Sequence, residues 1–201
     1  MKTIYVDKIK SLDKPTVVCL GFFDGVHIGH ASLIARAKAI SARTDAGVCV
    51  HTFDQMPARA LNPGVDILEL TPLAEKAALL EMLGVDVLAV SRFADTVHMR
   101  AADFFRSILL DKLLATHIVA GFHHHFGYRG EADVKWLESF CAQAGVGLDI
   151  IEPITLAGGE LVSSTAIRQA VQSGDYAKAS LMLGRPYTPG EPGLRIRRNR
   201  S

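Results

Sequence analysis

Short β-branched apolar runs alternate along the chain with longer segments whose apolar residues recur at three- and four-residue spacing. Thr16-Val17-Val18-Cys19-Leu20 reads as a first, fully buried strand. Gly47 to Phe53, Val85 to Val90, Thr116 to Ala120 and Leu148 to Ile151 read as four more. Helix patterns fill the intervals: one after the first strand through about Ala42, then Pro72 to Leu83, Ala101 to Leu114 and Asp133 to Ala144. In the second of these, Leu73, Ala77, Leu80 and Leu83 form one apolar stripe.

Near-continuous apolar strands alternating with helices predict a parallel sheet covered on both faces. With right-handed crossovers this is an α/β, Rossmann-like, doubly wound sheet of about five strands. Ligands of such sheets bind beyond the carboxyl ends of the strands, so the loops there are where chemistry is expected. After the fifth strand, Ala157-Gly158-Gly159-Glu160 predicts a hairpin turn into Leu161-Val162. A C-terminal pair of short helices follows, from Ser163-Ser164-Thr165 through Gln172 and from Asp175 through Leu183.

Composition narrows the class. At 201 residues, 49% of them hydrophobic, the chain suits one sizeable core. A net charge of +1 gives no global reason to bind nucleic acid or an acidic membrane, and neither partner is expected. Cys19, Cys49 and Cys141 are widely spaced, the first two within strand patterns, so reduced buried thiols are expected rather than a zinc site. With no signal-like or membrane-length apolar run, the reading is a cytoplasmic protein. Residues 1–187 read as one domain. Residues 188–201, with Arg195, Arg197, Arg198 and Arg200, read as a mobile basic tail.

Chemistry concentrates after the first strand, in Gly21-Phe22-Phe23-Asp24-Gly25-Val26-His27-Ile28-Gly29-His30. Gly21 and Gly25 let the backbone turn sharply and approach a ligand. The turn opens a helix whose first amides can hold phosphate oxygens. His27 and His30, three apart, can project to one side, with Gly29 keeping the surface between them open. A lone histidine here would be read as packing. Two imidazoles at a helix start suit stabilisation of charge on an α-phosphoryl group under in-line attack. A second element, Ser163-Ser164-Thr165-Ala166-Ile167-Arg168, places hydroxyls at a helix start and a guanidinium one turn on. Alone it would be an ordinary helix cap.

The first segment resembles the HxGH signature of the nucleotidylyltransferase superfamily. In its longer form it resembles the FMN adenylyltransferase (FAD synthetase) domain of bacterial bifunctional riboflavin kinases. The resemblance continues through Thr52-Phe53-Asp54, Leu70-Thr71, Leu83-Gly84-Val85-Asp86, Ala102-Asp103-Phe104-Phe105, Ile118-Val119-Ala120-Gly121, Phe126-Gly127, the SSTxIR segment and Gly184-Arg185-Pro186-Tyr187. It implies transfer of AMP from ATP to FMN, giving FAD and pyrophosphate, with Mg2+ accompanying ATP. His27, His30 and Arg168 would be catalytic. Gly21, Phe22, Asp24, Gly25, Gly29, Ser163, Ser164 and Thr165 would bind the nucleotide, and Thr52, Phe53, His123 and Phe126 the flavin. A riboflavin kinase module, which commonly follows Gly-Arg-Pro-Tyr in the family, is not in this sequence: either the adenylyltransferase stands alone, and a separate riboflavin kinase would supply FMN, or the sequence is a piece of a longer chain.

Two stretches depart from the family pattern. Asp54-Gln55-Met56-Pro57-Ala58-Arg59-Ala60-Leu61 lacks the first proline and the aromatic residues that shape the flavin end. Gly121-Phe122-His123-His124-His125-Phe126-Gly127 carries a histidine triplet, with His123 as a phosphate-facing donor. Consecutive residues point to opposite sides, so no metal site is expected, and His124 and His125 are read as inert. The alternatives are a nucleotidylyltransferase with another phosphorylated acceptor or with CTP, or a catalytically weak nucleotide- or flavin-binding protein.

Overall fold

The computed structural model describes residues 1–61, 64 and 67–188. Its elements run β1 (Lys2–Tyr5), β2 (Thr16–Leu20), α1 (Ile28–Ser41), β3 (Gly47–Phe53), α2 (Pro57–Leu61), α3 (Leu73–Met82), β4 (Val87–Ser91) and α4 (Phe93–Thr96). They continue with α5 (Ala101–Asp103), β5 (Ala115–Gly121), α6 (Val134–Ala144), β6 (Gly147–Ile151), α7 (Ser164–Gln172) and α8 (Tyr176–Leu183).

The strands form one all-parallel sheet in the order β1-β4-β3-β2-β5-β6, so the α/β, doubly wound reading holds. The sheet has six strands rather than five, because the N-terminal Lys2–Tyr5 segment pairs with β4 at the edge. Only Ile4 of those four residues is buried, so the segment carries no apolar run by which to recognise it. The third strand starts two residues later than predicted, at Val87, since Val85 and Asp86 make the turn out of α3. The hairpin after β6 is reduced to a single antiparallel bridge, Thr155 with Leu161. The helix predicted from Ala101 to Leu114 is α-helical only over α5. It runs on through Phe104–Lys112 as a π-wound segment, with Leu113 N–H donating to the Ile108 carbonyl at 2.9 Å.

Central β2 is buried at every position and shows why the sheet is covered on both faces. Val17 and Cys19 pack with Leu33, Ile34 and Ala37 of α1, while Val18 and Leu20 pack with Phe104, Phe105, Leu109 and Leu137 on the other side. A smaller cluster joins Ile167 and Ala170 of α7 to Ala179, Met182 and Leu183 of α8, over Leu70 and Val162. The three cysteines are buried and unpaired.

Strand order reverses at β2, which has β3 on one side and β5 on the other. Leu20 is in register with both His51 and Ala120, so the loops leaving β2, β3 and β5 emerge at one edge. The Arg-rich segment read as a tail lies outside the described residues from 189 onward.

Candidate active site

A cleft of about 240 Å³ opens at this switch point. It is lined by Gly21, His27, Gly29 and His30 from the β2–α1 connection, by Phe122, His123 and His124 after β5, and by Glu152, Leu161 and Ser163 toward α7.

The loop into α1 departs from ordinary backbone. Phe23 (φ 56°) and Val26 (φ 39°) occupy the left-handed region although neither is glycine, and Gly25 (φ 83°) lies between them. Phe23 is fully buried and fills the space beside Gly21, where an added Cβ would lie 3.0 Å from its ring. Several bonds hold this shape. Thr71 Oγ1 accepts from Gly25 N–H at 2.9 Å, and Thr52 Oγ1 donates to the Phe22 carbonyl at 2.8 Å. Lys76 Nζ donates to that carbonyl at 2.7 Å. Arg185 donates to the Val26 carbonyl at 2.8 Å and also to the Gly25 carbonyl.

His27 and His30 form a reciprocal cap at the start of α1. His27 Nδ1 accepts from His30 N–H at 3.3 Å, and His30 Nδ1 accepts from His27 N–H at 3.3 Å. Their rings stack at 3.6 Å between centroids, inclined by 17°. Because each Nδ1 accepts, the neutral ring in each case carries its proton on Nε2. Gly29 leaves room for the stacked pair, since an added Cβ would lie 3.0 Å from the His27 ring. Burial, and next the Arg185 guanidinium, pulls His27 down to about 4. His30 is held well below its ordinary value, first by burial and then by His27, Lys76 and Arg185. Both imidazoles are therefore neutral Nε2–H donors at neutral pH.

Asp24, only 2% exposed, does not line the cleft. Its carboxylate accepts from the amides of Leu70 and Thr71, each at 3.0 Å, and from Arg168. Arg168 also donates to the Leu68 carbonyl at 2.7 Å. The guanidinium of Arg168, read from sequence as catalytic, is thus engaged by Asp24 and Leu68. Ser163 caps α7 by accepting from Ala166 N–H at 3.1 Å, Ser164 Oγ donates to the Asp24 carbonyl at 2.8 Å, and Thr165 is exposed. The starts of α1 and α7 thus converge on one cleft.

Of the residues assigned to the flavin, only His123 lines the cleft. Thr52 is buried under Phe22, Phe53 packs edge-on against His51 and Phe93, and Phe126 belongs to the core. His124, read as inert, instead lines the cleft, stacks on Phe126, and buries an Nε2 that has no hydrogen-bond partner among the described residues. Sequence reasoning also missed Lys76, Arg185 and Glu152. A signal for Lys76 existed, as it falls on the Leu73–Ala77–Leu80 stripe. Among the described residues no cluster of three or more His, Cys, Asp or Glu could hold a metal ion.

Buried histidines set the acid side of stability. Burial also lowers His51 to about 3 and His124 to about 4, with His124 and His125 respectively as the second cause. The unfolded chain protonates its histidines near 6.5, so it binds more protons than the fold as pH drops below that value. Stability is therefore expected to fall from pH 6.5 toward 4, by about 1.4 kcal/mol per pH unit for each such residue. Urea midpoints between pH 7 and 4.5 would show it, and midpoints level from 6.5 to 4.5 would contradict it.

A parallel sheet whose switch point gathers two helix starts over one cleft defines an α/β protein of the Rossmann-like, doubly wound class. The chain belongs to the FAD synthetase family: the family profile of that description matches residues 9–166. It is 37% identical to the bifunctional riboflavin kinase/FMN adenylyltransferase of Listeria monocytogenes serovar 1/2a, over 94% of this chain and 61% of that protein. With the FAD synthetase of the same organism it shares 30% identity, over 87% of this chain and 70% of that one. A crystal structure described as a macrolide-efflux protein from Streptococcus pneumoniae superposes with a TM-score of 0.82 at 30% identity, covering 92% of this chain and 61% of that one. The chain spans less than two thirds of the length of the bifunctional Listeria relative and of the bifunctional riboflavin kinase/FMN adenylyltransferase of Bacillus subtilis, to which it is 33% identical. No helix among the described residues is long and apolar enough to cross a membrane.

Proposed function

We propose that the protein is an FMN adenylyltransferase. An oxygen of the FMN phosphate attacks the α-phosphorus of ATP, the bond from that phosphorus to the bridging oxygen breaks, and FAD and pyrophosphate form. The observation that carries this reading is the convergence of the α1 and α7 starts on a cleft lined by His27 and His30. The two Nε2–H groups would donate to the α-phosphoryl oxygens as charge builds there, already oriented by the reciprocal cap. The amide of Gly29 at the start of α1 and those of Ser164 and Thr165 at the start of α7 would take the remaining phosphates, with Ser163 at the rim. Gly21, Phe22, Asp24 and Gly25 shape the loop beneath them. Arg168 serves by fixing Asp24, and so the loop, to α7. His123 and His124 would stand at the acceptor end, with Phe126 stacked behind His124.

Magnesium, when bound, would neutralise charge on the β- and γ-phosphates. Glu152 is the one carboxylate among the cleft residues, so the ion would be held mainly through phosphate oxygens and water. FMN would come from a riboflavin kinase activity.

Incubation with ATP, magnesium and FMN is expected to yield FAD and pyrophosphate, separated by chromatography. Absence of FAD, with adenylylation of another phosphorylated acceptor or turnover of CTP, would replace the substrate assignment.

A further inference from the structure

Lys76 is 1% exposed, yet its ammonium has no carboxylate oxygen within 4.0 Å among the described residues. Its neighbours are uncharged. Nζ donates to the Phe22 carbonyl at 2.7 Å, lies 3.4 Å from Thr52 Oγ1, and is covered by the Phe22 ring 3.7 Å from its centroid. A carbonyl dipole, a hydroxyl and a ring face offset only part of the cost of removing an ammonium from water. Acting at longer range are Asp24 from the loop, already engaged by Arg168, Glu69 from the segment before α3, and His30 from α1. Among the described residues, no charged group in direct contact balances the ammonium. It lies directly beneath the turn at which Phe23 enters its left-handed conformation.

We propose that Lys76 is a positioning residue for the nucleoside triphosphate: it pins the Phe22–Phe23 turn and supplies, from beneath the loop, buried positive charge that the bound polyphosphate balances. This rests on the reading of the cleft as an ATP site. Burial lowers Lys76 to about 8, against the opposing pull of Asp24 and Glu69. Near pH 8.5 the free protein therefore holds a partly neutral lysine, and an arriving polyphosphate draws a proton onto it. The other groups at the site are quiet there. His27 titrates at about 4 and His30 low, Arg185 at about 10, and a terminal phosphate near 6.

The test is calorimetric titration with ATP and magnesium at pH 8.5, in two buffers of different ionisation enthalpy. Wild type is expected to take up a substantial fraction of a proton on binding. Lys76→Met is expected to lose that uptake and about tenfold or more in ATP affinity, since each unit by which the ligand raises the lysine's pKa is worth about tenfold. Lys76→Arg keeps the charge and should hold affinity within a few-fold, again without uptake. Thr52→Val should retain the uptake. The KM for FMN should change little in both Lys76 variants, whereas a lysine of merely structural importance would disturb both substrates and leave the proton count unmoved. Wild type that binds ATP without proton uptake at pH 8.5, or Lys76→Met with near-normal ATP affinity, overturns the proposal. If Lys76→Met fails to fold, wild type and Lys76→Arg decide it. Wild type that binds no ATP at any pH instead removes the reading of the cleft, and this proposal with it.

Discussion

Replacing His27 with Asn is expected to lower turnover by about 10²–10³-fold while leaving the fold as stable as wild type. His27 has two separable duties. Its Nδ1 accepts from His30 N–H and caps α1, a task that Asn performs as well as any residue. Its Nε2–H is the group available to an oxyanion, and Asn cannot reach the same point. His27→Ala should lose turnover and, in addition, about 1 kcal/mol of stability with the cap. Because burial holds His27 at about 4, the imidazole is already neutral at pH 6.5 and at pH 8, and the loss should be equal at both. Steady-state kcat together with a melting curve separates the two duties. Near wild-type turnover in His27→Asn would remove the imidazole from the chemistry.

How far the sequence foretold this site depends on whether a residue's partner is near it in the chain. His27 and His30 were legible because their partners are each other, three residues apart on one helix start. The sheet was legible because β2, β3 and β5 each carry a run of buried apolar residues, at 17–20, 48–50 and 118–120. By contrast, β1 is a strand only by virtue of its pairing with β4, more than eighty residues away. Lys76 could be recognised as a cation on an apolar stripe, but not as a ligand of the Phe22 carbonyl, which depends on how α3 lies against the loop. Arg185 is the same case: nothing local shows that it reaches the Gly25 and Val26 carbonyls. His124 was misjudged because alternation in a triplet says which residues share a side, and not which side meets the cleft.

Asp24→Asn is expected to destabilise the fold by about 3–5 kcal/mol, the range for breaking a buried ion pair from one side. The carboxylate receives the Leu70 and Thr71 amides, the Thr71 hydroxyl and the Arg168 guanidinium, all of them donors. An amide of the same shape must turn its NH2 toward either the two backbone amides or the guanidinium, so donor meets donor in both orientations. Against a typical total of about 5–15 kcal/mol, the loss would be plain in urea unfolding. It should also reach function. Ser164 Oγ binds the Asp24 carbonyl and Arg168 its carboxylate, so this residue is what ties the start of α7 to the loop before α1. With the tie loosened the two helix starts no longer share one cleft, and ATP affinity should fall even below the unfolding temperature. Adding Arg168→Met to Asp24→Asn removes the stranded guanidinium, and the double variant should regain part of the loss, with a coupling of about 0.5–3 kcal/mol. Asp24→Asn within about 1 kcal/mol of wild type would mean that the ion pair does not hold the loop, and that Arg168 is free to turn toward phosphate.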